Sequence, residues 1–172
     1  MLQGDRVVLR ALRPDDVEPL WRARQDPLFW ARTTAAPFAA QTLAEYRARY
    51  EAPATDDSAQ FAVEADGTLV GRTGLFAVDP LARNGEVGLS VLPEHQGRGY
   101  GRDALRVLVA FAFRTRNLHR VHLETLASNE AALRTYAAVG FVEEGRSREH
   151  AWVEGAYDDV VRMGLLRSQW PG

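Results

Sequence analysis

The chain lacks two residue types on which many catalytic and structural sites depend. It has no cysteine, which excludes disulfides, a thiolate nucleophile and zinc bound by cysteine. It has no lysine either, because all 21 basic residues are arginine, and this excludes mechanisms that need a lysine side chain. No apolar run approaches the ~20 residues of a membrane span, and residues 1–6 show no signal-peptide pattern. We therefore expect a cytoplasmic protein without a membrane partner.

Length and composition indicate one globular domain. With 172 residues, 46% of them hydrophobic, the chain is long enough to bury a core without disulfides or metals. It shows no internal repeat or linker, so we expect a single domain over residues 1–172. The formal charge of −2 gives no reason to expect a nucleic-acid partner. The four histidines are scattered without zinc-ligand spacing, so the sequence predicts no metal site.

Hydrophobic periodicity predicts an α/β (α+β) fold with seven strands and four helices. Strands are expected at 6–12, 60–64, 69–75, 86–92, 120–126 and 158–166, and a further strand begins at 141–144. Helices are expected at 15–25, 41–51, 102–115 and 129–139. Asp66-Gly67 is typical of a hairpin turn, and Gly140 is placed to end the last helix. Residues 26–37, which contain two prolines, are expected to be irregular.

Three glycines at alternate positions stand between a predicted strand and a predicted helix: Gly97, Gly99 and Gly101. Glycine lets the backbone approach a ligand closely. A helix that begins directly after such a loop directs its free N–H groups and the positive end of its dipole into the loop. The loop therefore predicts an anion site, and phosphate is the usual anion of such sites.

Three interpretations of this loop compete on the residues alone. A P-loop requires a lysine, which the chain lacks. A dinucleotide fingerprint fits Gly99-x-Gly101-x-x-Ala104 with Glu124 on the following strand. Against it, residues 93–96 separate the glycines from the preceding strand, where that fingerprint joins them directly. A glycine-rich turn without a ligand is the third interpretation, and the regular helix that follows argues against it.

Two motifs in the C-terminal half resemble the GNAT superfamily of N-acetyltransferases. Residues 91–101 resemble its acetyl-CoA motif, Arg/Gln-x-x-Gly-x-Gly/Ala, with Gln96, Gly99 and Gly101 at the motif positions. Residues 129–141 resemble its second signature, which consists of an asparagine, a tyrosine and a helix-ending Gly-Phe. The two motifs follow each other in the order and at the spacing found in that family.

The ends of the chain extend the resemblance. Residues 6–16 and 157–160 are similar to the RimJ/RimL branch, which acetylates ribosomal-protein N-termini. The resemblance implies the GNAT fold, a mixed and mostly antiparallel sheet of about seven strands, flanked by about four helices and splayed into an acetyl-CoA cleft. It also implies acetyl transfer from acetyl-CoA to a primary amine by direct attack in a ternary complex. A CoA-binding module without catalysis is the alternative, and a homodimer, common in similar proteins, stays open.

By the same resemblance, acetyl-CoA would lie along the strand and loop that carry the first motif. The backbone of the splayed strand would pair with pantetheine, and the residues implied are Leu89, Ser90, Val91 and Leu92. The loop amides would hold the pyrophosphate, and Asn129 would bond to the pantetheine arm. The loop residues implied are Gln96, Gly97, Arg98, Gly99, Tyr100, Gly101 and Arg102.

The resemblance implies three catalytic residues. The Val91 N–H would stabilise the oxyanion. Tyr136 matches the family's general acid, whose phenol would protonate the departing CoA thiolate, although a tyrosine at this helical spacing also suits a core. Glu86 would accept the amine proton through water, although a carboxylate there also suits an exposed strand edge. His95 and His122 are weaker candidates for the base.

The acceptor side is the part that the sequence specifies least. Similar proteins wall it with the segment after the first helix and with the last hairpin, where this chain has Phe29, Trp30, Thr33, Thr34, His150, Trp152 and Tyr157. These aromatic residues would hold an apolar acceptor or fill a dimer contact. The arginines form no sequence cluster that indicates an acidic acceptor. A protein or peptide N-terminus, a polyamine, an amino acid and an aminoglycoside-like amine therefore all remain candidates.

Overall fold

The computed structural model of the chain describes residues 1–34, 38–51 and 55–172, apart from the side chain of residue 51. The last part of the stretch predicted to be irregular, 35–37, lies outside the described residues. The described elements form one sheet with helices on both of its faces. The predicted mixed α/β architecture is therefore confirmed.

The sheet has eight strands in the order β1-β2-β3-β4-β5-β6-β8-β7. Every neighbouring pair is antiparallel except β5 and β6, which are parallel. The strand bounds are β1 Leu2–Gln3, β2 Val8–Arg10, β3 Ala59–Ala65, β4 Thr68–Asp79, β5 Asn84–Val91, β6 Arg120–Leu126, β7 Val142–Val153 and β8 Ala156–Leu166. Because a parallel pair needs a crossover connection, a helix joins β5 to β6.

Five α-helices are described: α1 Val17–Ala23, α2 Pro27–Thr33, α3 Leu43–Glu51, α4 Tyr100–Ala110 and α5 Glu130–Val139. A π-helical turn, Phe111–Thr115, continues α4. Helices α4 and α5 pack together over the main core on one face of the sheet, here called the α4 face. Helices α1 and α3 cover a second core cluster on the opposite face, here called the α1 face.

Two elements differ from the sequence prediction. The strand β1 is an eighth strand of only two residues, too short to show a hydrophobic period. The prediction of irregular structure was wrong over α2, because Asp26 caps this helix. Its Oδ1 accepts hydrogen bonds from the backbone N–H groups of Leu28 (2.8 Å) and Phe29 (2.9 Å), and Pro27 occupies the first helical turn, where proline is favourable.

The predicted turn chemistry is confirmed at two places. The strands β3 and β4 form a tight hairpin in which Ala65 faces Thr68 across the Asp66-Gly67 turn. Gly140 ends α5 in the left-handed conformation, with φ of 111°, and its N–H donates to the Ala137 carbonyl oxygen. Because these turns depend on the backbone conformation of single residues, the local sequence is enough to predict them.

Candidate active site

The parallel strands β5 and β6 separate along their length. Their pairing runs through Asn84↔Arg120 and Gly85↔Val121 to Glu86↔His122, whereas β5 continues to Val91 and β6 to Leu126. The C-terminal halves of both strands thus border a gap in the sheet, here called the β5–β6 opening. The helices that follow the two strands, α4 and α5, begin at the same end as this opening.

The backbone of β5 points hydrogen-bonding groups into the β5–β6 opening. The Leu92 N–H donates to the Val70 carbonyl oxygen of β4 at 2.9 Å, and antiparallel pairs alternate between bonded and non-bonded positions. Leu89 and Val91 occupy non-bonded positions, so their N–H and C=O groups face away from β4. The Gln96 side chain donates from Nε2 to the Val91 carbonyl oxygen (3.0 Å), and the Val91 N–H remains directed at the opening.

The glycine loop ends in the helix start that the sequence predicts, two residues earlier than expected. Gly97 and Gly99 have φ of 75° and 81°, a region that favours glycine, and Gly99 is the N-cap of α4. Asp103 donates its backbone N–H to the Gly99 carbonyl oxygen at 3.2 Å. The N–H groups of residues 100–102 therefore project from the helix start, where the helix dipole favours an anion.

A buried carboxylate fixes this helix start to the N-terminal strand region. Asp103, 7% exposed, accepts hydrogen bonds at Oδ2 from the backbone N–H groups of Arg6 (2.7 Å) and Val7 (3.1 Å). Arg6 in turn donates from Nη1 to the Arg98 carbonyl oxygen (3.2 Å). The loop is therefore held from outside, while Arg98 and Arg102 are exposed beside it.

The other wall of the β5–β6 opening ends at Asn129, the N-cap of α5. Its Oδ1 accepts from the Ala132 N–H and its Nδ2 donates to Thr125 Oγ1, both at 3.3 Å. Thr125 belongs to the half of β6 that pairs with β8 but not with β5. Asn129 consequently lies next to the opening, with its side chain fixed by two local bonds.

Tyr136 lies on α5, in the core of the α4 face. Its side chain is largely enclosed and its ring centre is 6.3 Å from that of Phe141. Burial raises the pKa of the Tyr136 phenol to about 12, because the phenolate would lose its hydration. The phenol is therefore protonated at neutral pH, the state that a proton donor needs.

Glu86 and His122 lie at the closed end of the β5–β6 opening, whereas His95 lies beyond the open end of β5. Glu86 is exposed and faces His122 in the last residue pair that joins β5 to β6. His95 lies in the short 3₁₀ turn Pro93–His95, between β5 and the glycine loop. A proton acceptor at Glu86 would thus contact solvent, which suits transfer through water.

The predicted acceptor residues fall into two separate groups. Helix α2, which carries Phe29, Trp30 and Thr33, lies against both β5 and β6. Trp30 is buried, Phe29 is half-buried, and Thr33 Oγ1 donates to the Trp30 carbonyl oxygen.

His150 and Trp152 belong to the second group, on the edge strand β7. Both side chains are exposed, Trp152 by 63%, and the Trp152 ring meets that of Tyr157 edge to face at 4.8 Å. Trp152 therefore packs with Tyr157 across the β7–β8 hairpin.

Sequence reasoning missed a group of arginine and tyrosine side chains on the α1 face. The Arg24 guanidinium lies over the Trp30 ring, 4.2 Å from its centre. The Tyr46 and Tyr50 hydroxyls are 2.7 Å apart, and Arg72 donates from Nη1 to the Tyr50 hydroxyl at 2.6 Å. No local signal reveals this group, because its members come from separate helices and from β4.

The start of α4 suits an anion, and the neighbouring edge of β5 presents backbone amide groups. Together they are complementary to an extended, phosphate-bearing amide such as CoA. A family model described as "Acetyltransferase (GNAT) domain" matches residues 6–142. This chain therefore belongs to the GNAT acetyltransferase family. The predicted class, an N-acetyltransferase that depends on acetyl-CoA, is confirmed by that match and by the relatives described next.

The relatives act on, or are named for, different acceptors. A spermidine N(1)-acetyltransferase of Vibrio cholerae serotype O1 is 35% identical over 112 residues, which are 64% of this chain and 65% of that protein. A putative ribosomal N-acetyltransferase, YdaF, of Bacillus subtilis strain 168 is 29% identical over 178 residues, covering 98% and 96% of the two chains. The match to the Vibrio protein thus spans just under two thirds of that protein's length.

A solved structure supports the fold and the cofactor. The crystal structure of spermidine N-acetyltransferase from Vibrio cholerae in complex with CoA and spermine is 26% identical and superposes with a TM-score of 0.86. The match covers 98% of this chain and all of that one.

Within the described parts of this chain, no three or more His, Asp or Glu side chains are grouped to hold a metal ion. None of the described helices is long and apolar enough to span a membrane.

Proposed function

We propose that this chain transfers the acetyl group of acetyl-CoA to a primary amine by direct attack in a ternary complex. The observation that carries the proposal is the β5–β6 opening, into which Leu89 and Val91 direct backbone N–H groups beside the start of α4. A pantetheine arm consists of amides and ends at a pyrophosphate, so it complements a strand edge followed by a helix start.

The proposed roles account for each bond and proton. The amine nitrogen forms a bond to the thioester carbon, and the carbon–sulfur bond breaks. The Val91 N–H donates to the carbonyl oxygen as negative charge develops on it. Tyr136 gives a proton to the departing sulfur, and Glu86 accepts the amine proton through water, after which exchange with solvent restores both side chains. The products are an N-acetylated amine and free CoA thiol.

The cofactor contacts follow the same geometry. Leu89 and Val91 would pair with pantetheine through their outward backbone groups, while Ser90 and Leu92 hold β5 to β4. Asn129 would contact the arm from the β6 side. The amides of residues 97–102 would surround the pyrophosphate, with Gln96 fixing the strand end.

Two acceptor types are supported for different reasons. A small-molecule amine is supported by the spermidine acetyltransferases among the relatives. A protein N-terminus, the acceptor of the RimJ/RimL branch, is supported by the similarity to YdaF over nearly the full length of both chains. In either case α2 would form the near wall of the acceptor site through Phe29, Trp30 and Thr33, and the exposed His150 and Trp152 would be a second contact.

The first experiment tests turnover and the acid role together. Purified protein is incubated with acetyl-CoA and a panel of amines and N-terminally free peptides, and thiol release is measured with mass detection of the product. We expect turnover with at least one acceptor. Tyr136→Phe should lower kcat about a hundredfold, within the range for loss of a general acid, while CoA affinity measured by calorimetry stays unchanged.

Each result has a clear meaning. Unchanged turnover in Tyr136→Phe would remove the acid role. CoA binding without turnover on any acceptor would support the non-catalytic module instead. Absence of CoA binding would contradict both.

A further inference from the structure

The Arg24 guanidinium is buried, and its Nε has no hydrogen-bond partner among the described residues. Arg24 caps the C-terminus of α1 and only 8% of the residue is exposed. Among the described buried side-chain nitrogen and oxygen atoms, Arg24 Nε alone lacks a hydrogen-bond partner. The contact that the side chain does make is stacking over the Trp30 ring. A cation–π contact of this kind offsets only part of the cost of taking a cation out of water.

The charged neighbours of Arg24 do not compensate its charge. The cations that act on it are Arg72 and Arg49, and together with burial they lower the pKa of Arg24. The other titratable groups that face it are the phenols of Tyr46 and Tyr50. Phenols titrate near pH 10 in water, and burial raises the pKa of Tyr46 further. Among the charged groups that act most strongly on Arg24, none is a carboxylate.

Arg72 connects this cluster to the proposed reaction centre. It is half-buried on β4 and faces Ser90 of β5, and paired residues of neighbouring strands share a face of the sheet. Ser90 immediately precedes Val91, the proposed oxyanion donor. Arg72 uses one donor for the Tyr50 hydroxyl and has four more. Arg72 therefore shares the face of Ser90, and its charge acts on Arg24.

Buried polar groups in folded proteins nearly always have partners, and an exception calls for a ligand or a functional reason. Guanidinium groups pair with carboxylate and phosphate through parallel hydrogen bonds. We propose that Arg24 and Arg72 bind an anionic group of the acceptor, so that the substrate is a primary amine that also carries a carboxylate or a phosphate. This inference rests on the proposed acetyl transfer and defines its acceptor.

The proposal separates this chain from relatives named for spermidine. A polyamine carries only positive charges at neutral pH, and like charges brought together near a low-dielectric site repel each other. We therefore expect polyamines to be poor acceptors here. An amino acid, a peptide with its carboxylate near the amine, or an aminoalkyl phosphate meets both requirements of the site.

The test uses acceptors matched in length but not in charge. The probes are γ-aminobutyrate, its uncharged amide and 1,4-diaminobutane, together with α-amino acids and their amides. O-Phosphoethanolamine and ethanolamine form a further pair that distinguishes phosphate from carboxylate. We expect kcat/KM to be about ten- to hundredfold higher for the anionic member of at least one pair, the range for a hydrogen-bonded charge.

Variants assign the preference to the two arginines. Arg24→Gln and Arg72→Gln should each reduce the preference for the anion at least tenfold, with little change for the uncharged amide. Arg22→Gln is the matched control, because Arg22 lies on the same helix but is exposed and paired with Glu18. Should Arg24→Gln fail to fold, inhibition of the wild-type enzyme by butyrate but not by butyramide would still test for the anion site, and Arg72→Gln would test its assignment.

The outcomes distinguish the two proposals. If no amine of any charge is acetylated, the proposed function is wrong. If amines are acetylated but the uncharged or doubly cationic members are equally good or better, acetyl transfer stands and the anion site is wrong. An anion preference that persists in both arginine variants would also overturn the assignment of Arg24 and Arg72.

Discussion

At the scale of single residues, a buried ion pair joins the end of β2 to the start of α1. Arg10 donates from Nη1 and Nη2 to the two carboxylate oxygens of Asp16, at 2.6 and 2.9 Å. Both residues are 5% exposed, and Asp16 also accepts from the Arg13 N–H at 2.7 Å. This pair fixes the start of α1, whose C-cap is Arg24, and so it holds that helix on the proposed acceptor side.

The pair makes stability depend on pH. Burial alone would raise the pKa of Asp16, but the hydrogen bonds from Arg10 and Arg13 outweigh it and hold the pKa below the ordinary value. The stabilisation is thus present above about pH 4, the unfolded pKa, and is lost as the pH falls through the folded pKa. Arg10 also forms an ion pair with Glu64, which the variant keeps. We therefore expect Asp16→Asn to lower the free energy of unfolding at pH 7 by about 1 to 3 kcal/mol, measured in urea, the range for a buried donor left without its partner.

The neighbouring residue gives the control. Asp15 is exposed, so Asp15→Asn should change the free energy of unfolding by less than about 0.5 kcal/mol. Between pH 7 and pH 3, Asp16→Asn should lose less stability than the wild-type protein, because the titrating group is gone. Equal stability of the two variants at pH 7 would show that the ion pair does not support the fold.

At the scale of elements, two glycine variants separate the role of the α4 start in CoA binding from the backbone strain that an alanine introduces. Gly99 has φ of 81°, and Gly155, in the exposed β7–β8 turn, has φ of 85°. An alanine at either position would carry the penalty of the left-handed backbone conformation, about 1 to 2 kcal/mol. It would cause no clash, because a Cβ would meet no atom closer than 3.9 Å at Gly99 and none within 4 Å at Gly155. We expect Gly99→Ala to weaken CoA binding at least tenfold in calorimetry, because the loop amides shift.

Gly155→Ala should reduce stability by a similar amount but leave CoA affinity unchanged. The comparison therefore separates a local effect on the loop from a general loss of stability. Equal CoA affinity in the two variants would mean that the start of α4 does not bind the cofactor.

The sequence predicts elements better than it predicts their pairing. The glycine loop, the hairpin turn and the end of α5 follow from single-residue backbone preferences, so they are visible locally. Helix α2 also has a local signal, because Asp26 and Pro27 form a helix start, but the two prolines of residues 26–37 equally suit an irregular segment. The separation of β5 from β6 was implied only by family resemblance, since strand partners distant in sequence leave no local pattern.

The cluster around Arg24 shows the limit of sequence reasoning most clearly. An arginine at the end of a helix is ordinarily an exposed cation that interacts with the helix dipole. Its burial depends on Trp30 from α2 and on the tyrosines of α3, which only the fold brings together. Composition therefore gave no reason to expect an anion-binding acceptor site.

At the scale of the whole molecule, the sheet separates two approaches to the reaction centre. The side chains of Leu89 and Val91 lie under the start of α4, where a Cβ at Gly101 would be 3.3 Å from both. The intervening residue, Ser90, faces Arg72 on the opposite side of the sheet. The β5–β6 opening joins the two sides, so the cofactor and the acceptor would enter from opposite faces and meet there, which is the geometry of a ternary complex.

The most direct test of this account is amide hydrogen exchange, resolved by residue, with and without acetyl-CoA. Acetyl-CoA bound in the β5–β6 opening should slow exchange at Leu89, Val91 and residues 100–102, because these N–H groups gain partners. Exchange at the β7–β8 turn, on the edge of the sheet, should not change. Slower exchange elsewhere, with Leu89 and Val91 unaffected, would contradict the placement of the acetyl-CoA site.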